Sequence, residues 1–252
     1  MKSNIFGLDI DNGNCQEISS TILDSTLKSE RVMVVTPNVD HFLRWQKDIN
    51  FRDLYSHANF CLIDGMPILW LARLLGYADC ERITGVDLTL ELLSKANEFN
   101  LPIAIIGGTA EVLEIANEKI AKRFPNLDLF LTMSPTPTEL NDDEYLGLIS
   151  NKLAVKKEKI VLLCLGSPKQ EKLYADLQLH RLHTGAFLCV GATVDFIAGV
   201  KRRAPKFIQN AGLEWIFRFL QEPKRLFRRY FIENITIIPY LVRAALMRLR
   251  KK

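Results

Sequence analysis

Six apolar, β-rich runs separated by stretches of helical periodicity constrain this 252-residue chain more than any single motif does. The runs are Arg31–Thr36, Asn59–Ile63, Pro102–Ile106, Leu127–Thr132, Lys159–Leu165 and Ala186–Gly191. Between most of them apolar residues return every three or four positions, as in Val86–Phe99, Ala110–Phe124 and Gln170–Leu179, the spacing of a helix with one buried stripe. Parallel neighbours need a crossover connection, and strands covered on both faces become continuously apolar. The order therefore predicts an α/β fold, a mostly parallel sheet with helices on both faces. Ile5–Ile10 is a candidate edge strand and Cys15–Lys28 a candidate first helix.

In such a sheet the loops after the strands share one edge, and ligands bind in the crevice there. Those loops hold the unusual residues: Thr36-Pro37-Asn38, Asp64-Gly65, Gly107-Gly108-Thr109, Gly166-Ser167-Pro168-Lys169-Gln170-Glu171 and Gly191 through Asp195. Each also has a purely structural reading. Asp-Gly after a strand is turn chemistry, or an Asp that accepts N–H bonds at a helix start. At the tip of the run ending in Ile63, the same carboxylate is placed to meet a ligand. Gly107-Gly108 makes a plain turn or lets a diphosphate approach the backbone and a helix N-terminus. Gly166-Ser167-Pro168 reads as a helix start with Ser as cap and Pro in the first position. That reading leaves Lys169-Gln170-Glu171 unexplained.

Charge is distributed unevenly. From Lys201 onward lie 14 of the 33 Lys and Arg but three of the 29 acids, a balance of +11 that leaves −7 on the first 200 residues. A basic tail on a mildly acidic body points to an anionic partner, whether nucleic acid, an acidic membrane surface or a phosphorylated substrate. Within the tail, Arg218, Arg225 and Arg228 are spaced by seven and three, which puts them on one helical face unless Pro223 bends it. Guanidinium groups so placed suit phosphate. The uncharged run Asn234–Val242 is too short to span a bilayer, which takes about 20 residues. An amphipathic helix lying at an anionic membrane surface is the expectation. The competing reading packs this helix on the body or on a neighbouring subunit, which keeps a homo-oligomer open. The five cysteines are scattered, with no CxxC pair, and the four histidines form no ligand spacing with carboxylates, so no disulfide frame and no metal site is expected. Met1–Gly7 lacks the long apolar segment of a signal peptide, and the expectation is a cytoplasmic chain.

Taken in order, Thr36-Pro37-Asn38, Asp64-Gly65, Glu81-Arg82-Ile83-Thr84-Gly85-Val86-Asp87, Gly107-Gly108, Gly166 through Glu171, Asp195-Phe196-Ile197-Ala198-Gly199, and Arg203-Ala204-Pro205 through Gly212-Leu213-Glu214-Trp215 resemble the WecG/TagA/CpsF family of bacterial glycosyltransferases over nearly the whole chain. The resemblance implies a Rossmann-like body over residues 1–200 and a basic helical appendage over 201–252 that docks at the membrane and completes the site. It implies inverting transfer of an N-acetylmannosamine-type or related sugar from a UDP-sugar to a polyprenyl-diphosphate-linked saccharide, with no metal or other cofactor, at the inner face of the plasma membrane. Carried over by position, Asp64 is the implied general base and Thr36 its neighbour. Asn38, Arg82, Gly107, Gly108 and Gln170 line the implied pocket, Asp195 holds the ribose, and Arg218, Arg225 and Arg228 meet phosphates. Where relatives have a Gly-Tyr-Phe segment, this chain reads Met133-Ser134-Pro135-Thr136-Pro137-Thr138, a departure that bears on the uracil contact.

The chemistry agrees with the residues. Inverting transfer is one displacement, in which the acceptor hydroxyl loses a proton as it attacks and needs one positioned base. The departing diphosphate gains charge that arginines and helix N-termini can neutralise. A nucleic-acid-binding protein would explain the basic tail but not the polar loops, so nucleic acid is not the expected partner. A non-catalytic nucleotide-sugar sensor on the same fold is the other alternative.

Overall fold

The computed structural model describes residues 2–250. Its strands are β1 (Lys2–Ile5), β2 (Leu8–Asp11), β3 (Arg31–Val35), β4 (Phe60–Cys61), β5 (Ile103–Ile106), β6 (Leu129–Met133), β7 (Ile160–Leu163) and β8 (Gly185–Cys189). The last six form one sheet in the order β4-β3-β8-β7-β5-β6, every neighbouring pair parallel. Every residue of β5, β7 and β8 is buried, which is why these runs read as unbroken apolar sequence.

The helices are α1 (Cys15–Leu27), α2 (Val39–Lys47), α3 (Ile49–Ser56), α4 (Met66–Leu74), α5 (Gly85–Phe99), α6 (Ala110–Arg123), α7 (Asp143–Leu153), α8 (Lys169–His180), α9 (Thr193–Ala198), α10 (Lys206–Asn210), α11 (Glu214–Gln221), α12 (Pro223–Arg228) and α13 (Ile238–Leu249). They cover both faces of the sheet. Successive residues of a strand point to opposite faces, so Val32, Val34, Leu162 and Leu188 pack under α1, α5, α6 and α9, while Met33, Val35, Leu163 and Phe187 pack under α2, α3, α4, α7 and α8.

The N-terminus differs from expectation. Ile5–Ile10 is not an edge strand of the main sheet but the centre of a hairpin, β1 paired antiparallel with β2. Phe6 and Gly7 turn it with φ of 50° and 95°, the positive pair that a two-residue hairpin turn requires. The hairpin is tied to β4 by the Asp11 carboxylate, which accepts the Cys61 N–H at 2.9 Å.

The C-terminal segment also departs from expectation. Helices α12 and α13 join through a π turn (Arg229–Glu233) and a 3-10 turn (Asn234–Ile237) into one helical stretch, Pro223–Leu249, of 27 residues. By length and composition alone this stretch could cross a membrane, which the uncharged run Asn234–Val242 did not suggest. Its contacts lay it along the body instead. Tyr240 meets Phe6 and Phe42 edge-on, with ring centroids 5.3 and 5.2 Å apart, and Leu226, Ile237 and Ala244 are buried. Phe227, Val242, Leu246 and Leu249 face outward, exposed.

Candidate active site

The carboxyl ends of β3, β4, β7 and β8 open into a cavity of about 580 Å³ that the C-terminal helices close from the other side. On its wall, β4 delivers Asp64. The Asp64 N–H donates to Pro37 O at 3.1 Å, which continues the pairing with the β3 side past the end of the strand. Helix α4 then begins with Gly65 as its N-cap and no side-chain cap bond, and the Asp64 carboxylate accepts no hydrogen bond from the described residues. The capping reading of Asp64 therefore does not hold. Gly65 fits closely against the next loop, since a Cβ there would lie 3.2 Å from Asn38 Cα.

Half-buried and without a hydrogen-bonding partner, the Asp64 carboxyl is pushed up to about 6. Burial drives the shift. The guanidinium groups of Arg218, Arg82 and Arg203 oppose it, and Glu214 adds to it. The result is a carboxylate that is ionised at neutral pH yet basic enough to accept a proton.

Around it, the loop residues are held by one another. Buried Thr36 donates its hydroxyl to Cys189 O at 3.2 Å, tying the ends of β3 and β8. Asn38 caps α2, accepting from the N–H groups of Asp40 and His41 at 3.0 and 3.3 Å. Gln170 is buried, its Oε1 accepting from the Gly191 N–H at 2.9 Å and its Nε2 donating to Glu171 Oε1 at 3.1 Å. Burial raises the Glu171 carboxyl. This explains the Gln-Glu pair that a helix start alone left unexplained. Ser167 is not the cap of α8: the helix begins at Lys169 with no side-chain cap bond, and buried Ser167 Oγ has no partner among the described residues.

The C-terminal segment is clasped to the body by charge. Arg203 grips Asp87 with two nitrogens, at 2.7 and 2.6 Å, and also reaches Thr84 Oγ1 at 3.0 Å. Burial alone would raise the Asp87 carboxyl, but the bonds from Arg203 and Thr84 outweigh it and hold it down at about 2. Glu214, at the start of α11, completes the chain with Arg82 Nη1 at 3.1 Å and Arg203 Nε at 3.6 Å.

Several expected residues lie elsewhere. Gly107 and Gly108 are not part of the cavity lining. Gly107 has φ +117° and a Cβ there would sit 2.5 Å from the Cys164 carbonyl, while one on Gly108 would sit 2.9 Å from Val194 Cγ1. They are glycines because β5 and its turn pack directly on neighbouring backbone and side chain, the plain-turn alternative. Asp195 sits behind the lining, paired at 2.8 Å with Lys201, which does line the cavity. Met133–Thr138 also lies outside it, tied back by Ser134 Oγ donating to Gly108 O at 2.6 Å.

The three appendage arginines do not share one face. The backbone breaks at Glu222 (φ −133°, ψ 59°), between α11 and α12. Arg218 and Arg225 line the cavity, whereas Arg228 is 80% exposed and pairs with Glu233 at 3.1 Å. Arg229 takes the inward place, its Nη2 3.3 Å from Asn38 Oδ1 and 3.6 Å from Asp40. Arg225 pairs with Glu222, and Arg218 stacks on the Phe196 ring at 5.4 Å without an ion pair to any described residue.

Sequence reasoning passed over Lys201, Arg203, Glu214, Arg229, His41 and Asn234 as site residues, all of which line the cavity. Arg203 and Glu214 lie in the segments that carry the family resemblance, a usable signal. Arg229 and Asn234 had none, because the π turn shifts the helical phase.

A parallel sheet covered by helices on both faces, its strand tips opening on a cavity lined by Asp64 and several arginines, defines a Rossmann-like α/β protein. The chain matches the model of the glycosyl transferase WecG/TagA/CpsF family over residues 3–251 and belongs to that family. It is a glycosyltransferase.

Proposed function

We propose that the enzyme moves a sugar of the N-acetylmannosamine, uronic acid or glucose type from a UDP-sugar to a polyprenyl-diphosphate-linked saccharide, with inversion and without a metal, in bacterial surface polysaccharide or teichoic acid synthesis. The observation that carries this reading is Asp64: a half-buried carboxylate, unbonded, raised to about 6, and surrounded by Arg218, Arg82 and Arg203. A base near neutrality can take the acceptor hydroxyl's proton as the hydroxyl attacks the anomeric carbon. The carbon–oxygen bond to the UDP diphosphate breaks in the same step, and the charge that develops there falls beside the arginines. Thr36, Asn38 and Gln170 hold the loops that shape the pocket, and Arg225 brings a further cation from the appendage.

The outward apolar row on Pro223–Leu249 and the +11 balance of the tail support docking at an anionic membrane surface, on the inner face, where such acceptors are held. The division into a body over 1–200 and a docking appendage over 201–252 belongs to the same reading.

The test is transfer from UDP-sugars to a short-chain lipid-diphosphate saccharide, with the product identified by mass and anomeric configuration. Asp64→Asn should abolish turnover and leave UDP-sugar binding nearly intact. Retention of more than about a tenth of the wild-type rate sinks the base assignment, since such catalysis is worth ~10²-fold or more.

A further inference from the structure

Among the described residues, the cavity wall carries buried polar atoms with nothing to bond: Arg229 Nε, Asn234 Oδ1 and His41 Nδ1. Buried polar groups are almost always paired in a finished structure, so such atoms in one cavity mark where a ligand's polar groups belong. The backbone is built to bring two of them together. In an α-helix, a residue five places on is rotated by about 140° from the first. Here the Asn234 N–H donates to Arg229 O and closes a π turn, which brings residues five apart toward one face. Both side chains consequently line the cavity, opposite Asn38 and His41 at the start of α2.

This place differs in charge from the surroundings of Asp64. The Arg229 guanidinium lies 3.6 Å from the Asp40 carboxylate and 3.3 Å from Asn38 Oδ1, so its charge is met within the protein and its Nε–H is left over. Burial holds His41 below its ordinary pKa and keeps the ring neutral. A net-neutral pocket with a spare N–H donor, a spare amide oxygen and a spare ring nitrogen does not call for phosphate. It calls for a neutral group that carries an acceptor and a donor side by side, as an acetamido group or a vicinal hydroxyl pair does.

We propose that Arg229 and Asn234, aligned by the π turn, form with Asn38 and His41 a sugar-reading subsite separate from the arginines around Asp64, Arg229 Nε donating to and Asn234 Oδ1 accepting from the acetamido or hydroxyl groups of one saccharide. This rests on the transferase reading above, under which that saccharide is either the donor's sugar or the acceptor's terminal sugar.

The experiment uses the full chain carrying Asn234→Ala, with Arg229→Ala as a second variant. Calorimetric titration with UDP and with UDP-N-acetylglucosamine is set beside the KM for a short-chain lipid-diphosphate N-acetylhexosamine. Asn234→Ala is expected to leave the Kd for UDP within about twofold and to weaken either the UDP-sugar or the lipid acceptor about fivefold to tenfold, the size of one hydrogen bond. Whichever moves identifies which sugar occupies the subsite. The thermal midpoint should stay level or rise, because the change deletes a buried acceptor that has no donor. Unchanged binding of both sugars, or an equal loss for UDP alone, overturns the subsite. A wild-type enzyme that transfers from no UDP-sugar overturns the donor assignment instead, a result separate from an active wild type with an unaltered variant.

Discussion

Arg82 and Glu214 lie 3.1 Å apart, one in the loop before α5 and the other at the start of α11, and their ion pair joins the body to the segment that closes the cavity. Glu214 also reaches Arg203 at 3.6 Å, and Arg203 is in turn gripped by Asp87. All four side chains are at least two-thirds buried, so removing one member leaves an unbalanced charge in a poor solvent. Asp87→Ala should cost ~2 kcal/mol or more by that argument, and it should expose the chain after Lys201 to limited proteolysis before the body unfolds. The pH dependence has a definite sign. Asp87 is held at about 2, below its unfolded value, so its stabilisation is present above the usual carboxylate range and is lost as pH falls through about 2. Acid titration followed by circular dichroism should show the wild type losing stability in that interval and Asp87→Ala losing less.

Asp64 has the opposite sign. Its carboxyl is raised to about 6, so its contribution to stability is present below the unfolded value near 3.8 and is lost as pH rises through about 6. As a base it must be ionised, so kcat/KM should climb with pH to a plateau with a midpoint about 6. Activity and stability therefore move in opposite directions over the same interval. Asp64→Asn should have a thermal midpoint that exceeds the wild type's by more at pH 8 than at pH 4. A wild-type profile flat between pH 5 and 7 would remove Asp64 from the proton transfer.

Among the cavity's cations, Arg82, Lys201, Arg203, Arg225 and Arg229 each have a carboxylate within the protein, and Arg218 has none among the described residues. It also opposes the Asp64 shift more than any other charge does. An unpaired guanidinium beside the base is free to meet charge that develops on a leaving diphosphate. Arg218→Gln should lower kcat by ~10²-fold, in line with removal of one charge-stabilising donor. Arg228→Gln, which alters an outward side chain paired with Glu233, should lose at least about tenfold less, a contrast steady-state kinetics can read directly.

The contrast between these two arginines shows where sequence reading reached its limit. The parallel sheet was legible because each of β5, β7 and β8 is buried on both faces and so carries no polar residue to break its run. Asp64 and Asn38 were legible because strand tips of such a sheet face one crevice. The hairpin at Phe6-Gly7 was hidden, since its turn uses a phenylalanine at positive φ in place of the usual Asn or Asp. Arg228 and Arg229 were exchanged because a spacing argument assumes an unbroken α-helix, and here the chain breaks at Glu222 and then widens into a π turn. Gly107 and Gly108 could be read either way from the sequence, and the Cys164 carbonyl against the first and Val194 Cγ1 against the second decide for packing.

That decision can be measured. Gly107→Ala places a Cβ 2.5 Å from the backbone of Cys164, at a φ of +117° that disfavours any side chain. Neither atom is the flexible end of a side chain, so β5 or β7 must shift, and the cost should be ~3 kcal/mol or more. Gly166→Ala has a φ of +75° but nothing within 4 Å, and should cost only the left-handed strain of ~1–2 kcal/mol. Chemical denaturation of the two variants checks the order. Equal costs would mean that Gly107 is kept for something other than close packing.

The outward row of Pro223–Leu249 carries the membrane reading and can be separated from the cavity it covers. Val242 and Leu246 are both more than half exposed and neither lines the cavity, whereas Tyr240, Ile237 and Ala244 of the same helical stretch hold it to the body. Cutting the chain at Lys201 would uncover Phe42 and its neighbours, and so would confuse lost docking with a damaged core. The double change Val242→Asp and Leu246→Asp leaves those contacts and the cavity lining in place. It puts two charges on the surface that would enter the headgroup region, where burying them is costly. Flotation with anionic liposomes should show the wild type bound and the double variant free, with binding of the wild type weakened by salt because the basic residues of the tail contribute. Transfer to a water-soluble acceptor analogue should persist in the variant, while transfer to acceptor embedded in vesicles should fall steeply. Unchanged flotation of the double variant would assign this face to another copy of the chain or to another protein, and would end the membrane reading.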